Sequence, residues 1–221
     1  NGPFQPALDY YLKRNRLAEA AAIEARRGKT DRAAKLYEQA GDVAAAARVY
    51  LAADEWKMAA LTLKEGGLRA EAAALYGKHG DHAQAAELYE LAGELGKALA
   101  CHKTQGDLRE VARLTELMGD SDAAQRIRAE DAEARGDLPE AARVLEALGE
   151  TDRALTLWRQ ARQPAEASRL AETLGRLDDA ATWAVEAGNF RRGADLFARL
   201  GKHKQAAEAA YQGGDIARCV H

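Results

Sequence analysis

The chain has 221 residues, a formal net charge of -3 and a mean hydropathy of -0.47. That balance supplies no basic footprint for nucleic acid, and no apolar run is long enough to cross a bilayer. Two cysteines are too few for a disulfide framework, so the reading places the chain in a reducing, cytoplasmic setting.

Taken from its start, the chain falls into short units that open at Gly2, Asn15, Gly28, Gly41, Asp54, Gly67, Gly80, Gly93, Gly106 and Gly119. After one longer step they resume at Gly136, Gly149, Arg162, Gly175, Gly188, Gly201 and Gly214. A fixed short period is the signature of a solenoid. Within each unit, positions 3, 6, 7, 9, 10 and 13 are apolar and the rest polar, which at helical spacing gathers one broad apolar face. Position 6 is almost always Ala, as at Ala20, Ala33, Ala46, Ala59, Ala72 and Ala85.

Start and stop signals agree with that periodicity. Gly at position 1 suits a helix end whose following residue enters the left-handed region, and Asn15 and Asp54 are the tolerable substitutes. Pro3, Pro6, Pro139 and Pro164 all fall where a first helical turn has no N–H bond to lose. Asp107 with Glu110, and Asp137 with Glu140, have capping-box spacing. The expectation is therefore helices of about ten residues joined by two- or three-residue turns. Such turns make antiparallel hairpins of two units, stacked so that each hairpin buries its face on the next.

In the first units, Phe4, Tyr10 and Tyr11 have no separate polar cap before them. The chain opens on Asn and closes partway through a unit, so it reads as a piece of a longer protein that could self-associate through uncapped ends. From Asn15 to Gln105, alternate units carry small residues at positions 4 and 8, including Ala18, Ala22, Ala44, Ala70, Ala74, Gly96 and Ala100. These are expected to mark the inner, concave helices.

Residues 41–66 depart most from the polar rule. Leu51, Met58 and Leu61 occupy nominally exposed positions and Trp56 stands at the turn, making this the candidate partner-binding patch. His79, His82, Cys101 and His102 do not have a metal-ligand spacing, and Cys101 and Cys219 sit at core positions, so no metal or cofactor is expected. Nucleophile elbows, phosphate loops and paired catalytic carboxylates are lacking, and the chain is not expected to be an enzyme.

The run GDHAQAAELYELAG, from Gly80 to Gly93, resembles the second-helix segment of tetratricopeptide (TPR) repeats, in which a small residue precedes an aromatic and another small one. The period departs from that family, whose units are about 34 residues long. The chain is more similar to the short-helix, TPR-like solenoids of vesicle-coat, ciliary-transport and bacterial multidomain signalling proteins. The resemblance implies an all-α, right-handed α-α superhelix without catalysis, built for binding and scaffolding.

The unit from Gly119 to Arg135 is four residues longer, about one extra turn. It is a candidate seam at 119–136 in an otherwise single domain spanning 1–221. It is also rich in charge, and Arg126, Glu130 and Glu133 are its candidate partner-binding residues. Arg162 stands where Gly is usual, so its turn is expected to differ from the others. Beyond it, Trp183, Phe190 and Phe197 read as core and Arg191 with Arg192 as a solvated face.

The functional expectation is a protein-interaction scaffold that binds a protein segment along the repeat surface. A ligand- or partner-sensing regulatory array attached to an enzymatic or nucleotide-switch domain is the alternative.

Overall fold

The computed structural model describes residues 4–215; Pro3, Cys219 and the expected last helix after Asp215 lie outside them. Among the described residues the chain is all-α, with sixteen short helices in succession. In order they are α1 (Gln5–Lys13), α2 (Leu17–Arg26), α3 (Thr30–Gln39), α4 (Val43–Ala52), α5 (Trp56–Glu65), α6 (Arg69–Lys78), α7 (His82–Leu91) and α8 (Leu95–Gln105). There follow α9 (Leu108–Leu117), α10 (Ser121–Ala134), α11 (Leu138–Ala147), α12 (Thr151–Gln160), α13 (Pro164–Thr173), α14 (Leu177–Glu186), α15 (Phe190–Arg199) and α16 (His203–Gln212).

The chain divides into two compact units, Asn1–Glu110 and Val111–His221. In the first, each helix from α1 to α8 packs on the next; in the second, the same holds from α10 to α16. This is the fold class read from the periodicity, an all-α array of α-α hairpins.

The turn chemistry is uniform. At Gly80, with φ +82°, the Gly80 N–H donates to the Gly77 carbonyl at 3.1 Å and the Asp81 N–H to the Tyr76 carbonyl at 2.9 Å. This is the Schellman pattern, which satisfies carbonyls that the helix end would leave without partners. Arg162 was expected to break the series and does not. Its φ is +55°, its N–H reaches the Arg159 carbonyl at 3.0 Å, and the Gln163 N–H reaches the Trp158 carbonyl at 3.0 Å. With only three residues to reverse the chain between α12 and α13, the left-handed backbone is imposed on whichever residue stands there.

Where the residue after the left-handed position is Asp or Asn, as at Asp42, Asp81, Asp107, Asp120, Asp137 and Asn189, it has two tasks. Asp81 closes α7's predecessor with its N–H, while its Oδ1 accepts the Gln84 N–H at 3.1 Å and caps α7. The same economy corrects the capping-box reading. Asp107 and Asp137 accept the Glu110 and Glu140 N–H groups, each at 3.3 Å, as the box requires. Their own N–H groups, however, are already bound to the His102 and Ala132 carbonyls at 3.1 and 2.8 Å, which leaves no donor for the returning Glu.

Position-6 and position-7 alanines form the helix-to-helix seam. Ala20, Ala33, Ala59, Ala72, Ala85, Ala141, Ala154, Ala167 and Ala180 are fully buried, and small side chains there permit close approach of neighbouring backbones. Larger residues fill the spaces alongside: Leu36, Leu88 and Tyr89 in the first unit, and Leu145, Trp158, Trp183, Leu196 and Phe197 in the second, are buried. Phe190 is only half-buried. Of the alternate small residues, Ala18, Ala22 and Ala70 are half-buried, and Ala44, Ala74, Gly96 and Ala100 are exposed.

The fourteen-residue helix α10 keeps its apolar face in phase, with Ala124, Ala129 and Ala132 buried. No helix among the described residues is long and apolar enough to cross a membrane.

Candidate interaction surfaces

The first surface lies on α4 and α5. Leu51, at the end of α4, is 40% exposed, and Met58 and Leu61, one turn apart on α5, are 41% and 40% exposed. Their register explains this: they hold positions 11, 5 and 8, where the α7 unit carries Glu90, Gln84 and Glu87. Trp56 behaves differently from its three companions. Its ring is stacked on His79, centroids 4.1 Å apart and planes within 2°, and meets Tyr76 edge-on at 6.0 Å. Lys57 adds its ammonium 5.7 Å from the Trp56 ring centre. Trp56 thus ties α5 to α6 and is half-buried.

The charged surface on α10 is largely engaged within its own unit. Arg126 Nε donates to Glu150 Oε1 at 2.6 Å, Arg153 donates to Glu150 Oε2 at 3.1 Å, and Arg153 reaches Glu133 Oε1 at 3.0 Å. The four side chains link α10 to the start of α12. Glu150 is the N-cap residue of α12, yet its side chain makes no cap bond because it serves the two arginines. The Arg126 hydrogen bond, with Arg153 adding to it, holds the Glu150 carboxyl below its ordinary value of 4.5 and raises Arg126 above its own. Arg128 pairs with Glu116. Glu130 is exposed, whereas Glu133 is half-buried.

Further pairs along the second unit run from one helix to the next but one. Arg169 on α13 reaches Glu146 on α11 at 2.8 Å, Arg192 on α15 reaches Glu172 on α13, and Lys202 reaches Asp178 on α14 at 2.7 Å. Glu146 also accepts the Trp158 indole N–H at 3.3 Å. A groove of about 540 Å³ between α11 and α13 is lined by Arg143, Glu146, Trp158, Glu166 and Arg169. Arg192, read as a solvated residue, is exposed but carries a specific partner.

Leu200 and Tyr211 are exposed, and so are three further apolar residues that were not singled out from the sequence. Leu91 in the first unit is 61% exposed; Leu117 and Met118 in the second are 62% and 53% exposed. Leu91 and Leu117 sit at position 12, which is polar in most units, and that register was the available signal. Cys101 is buried, and desolvation pushes its thiol above the ordinary value, as befits a small apolar side chain. The chain matches no protein-family model and no curated protein.

Proposed function

We propose that this chain is a protein-interaction scaffold, a TPR-like array that binds a partner segment along its helical-repeat surface and performs no catalysis itself. The observation that carries the proposal is the exposure of Leu51, Met58 and Leu61 on two consecutive helices whose register otherwise places polar side chains outward. Apolar area left open in this way favours protein association. The partner is a protein segment with its own apolar anchors, in a cytoplasmic setting; neither nucleic acid nor membrane is a partner in this reading, given the near-neutral charge balance.

The test is capture from a cell lysate with the original chain and with a Leu51→Glu, Met58→Glu, Leu61→Glu variant whose helix content is verified by circular dichroism. A protein retained by the original and lost by the folded variant supports the proposal. Equal capture by both refutes this site.

A further inference from the structure

Position 10 of a unit is where this chain places Tyr37, Tyr50, Leu63, Tyr76 and Tyr89; in the next unit it places His102. The register therefore turns an imidazole toward a position that the five preceding units fill with Tyr or Leu. The His102 side chain is 13% exposed, and Nδ1 is shielded from solvent without a hydrogen-bond partner. Nε2 is thus the ring atom open to chemistry, and it lies 3.3 Å from Glu90 Oε1 on α7.

A third donor joins them. Glu110, in the first turn of α9, brings its carboxylate to the same place, so that one ligand atom from each of Glu90, His102 and Glu110 lies within 4.8 Å of the others. All three side chains are half-buried, and Glu90 and His102 line a groove of about 580 Å³ with Glu87, Gln105 and Asp107. The donor set is one imidazole nitrogen and two carboxylates, the mixture that suits a borderline divalent ion. With bonds of about 2.0–2.1 Å, a tetrahedral ion holds its donors about 3.3 Å apart. The Glu90–His102 separation is already of that size, and Glu110 has a short side-chain adjustment to make.

We propose that Glu90, His102 and Glu110 form a three-ligand site for a divalent ion of the zinc class, with water as the fourth ligand. His102 binds through Nε2 as the neutral imidazole, and the two carboxylates balance the ion's charge. The ion ties the ends of α7 and α8 to the first turn of α9, across the short turn at Gly106 and Asp107. The expectation of no metal rested on the spacing of histidines and cysteines alone. It missed this set because two of the three donors are glutamates, twenty residues apart in sequence.

The test is calorimetric titration of the chelator-treated full chain with zinc chloride, together with visible spectroscopy after cobalt(II) addition. The expected result is one equivalent of zinc bound and a tetrahedral cobalt spectrum. Glu110→Gln, which preserves shape, and His102→Ala should each weaken zinc binding about tenfold or more, while His82→Ala should leave it unchanged. No zinc binding would overturn the proposal. Binding undiminished by Glu110→Gln, or lost in His82→Ala, would overturn it equally.

Discussion

A Cβ placed on Gly193 would stand 2.4 Å from Val185 Cγ2 and 3.2 Å from the Ala181 carbonyl oxygen. Gly193 holds position 6 of its unit, where most others have Ala, so α14 and α15 approach too closely here for even a methyl group. Gly193→Ala should destabilise the fold by about 1–3 kcal/mol through overpacking, seen as a lower urea midpoint. Val185→Ala in the same chain should recover part of that loss; strict additivity of the two substitutions would contradict the stated contact.

Arg162 adopts a left-handed backbone at φ +55° in a turn that most other units build with Gly. A side chain in that region costs roughly 1–2 kcal/mol, whereas glycine adds about 0.4–1 kcal/mol of unfolded-state entropy. Arg162→Gly should therefore stabilise the chain by up to about 1 kcal/mol, readable as a raised denaturant midpoint. A lowered midpoint would show that the arginine side chain does something there beyond filling a turn.

Glu150 accepts from both Arg126 and Arg153, and its carboxyl is held below the ordinary 4.5. A lowered folded pKa means stability that is fully present above the unfolded value and lost as pH falls through the folded one. Glu150→Gln should thus be less stable than the original chain at pH 7, with the gap closing as the pH drops below about 4.5. All three side chains are near solvent, so added salt should shrink the gap as well. A gap that widens on acidification would contradict the pairing.

The helices, their lengths and their seams were legible because one strong period carries apolar pattern, turn glycine and capping residue together. Ala20, Ala33, Ala59 and Ala85 are buried as their position requires. What was not legible lies in contacts that skip a helix. Glu133 and Arg153, or Glu146 and Arg169, are 20 and 23 residues apart and meet only once hairpins are stacked, so a helix-by-helix reading sees them as separate solvated charges.

Glu24 shows the same limit at position 10. It is fully buried, with Arg27 and Arg32 at 3.3 and 3.1 Å, although neither carboxylate oxygen has an aligned hydrogen bond. A rule that calls position 10 apolar has no place for a charge there. Of the candidate surface residues, Leu51, Met58 and Leu61 stand exposed as their register implied. Trp56 found partners in His79 and Tyr76, and Arg126 and Glu133 found theirs on or beside α12.

The central claim, that the α4–α5 face receives a protein partner, is tested most directly by site-specific photo-crosslinking in cells. A photoreactive residue is placed at Leu61 in one protein and at Glu87, the same position two helices on, in another. A discrete crosslinked partner is expected from position 61, abolished by Leu51→Glu with Met58→Glu, and none from position 87. A crosslink from position 87 alone, or none from position 61, would contradict that claim.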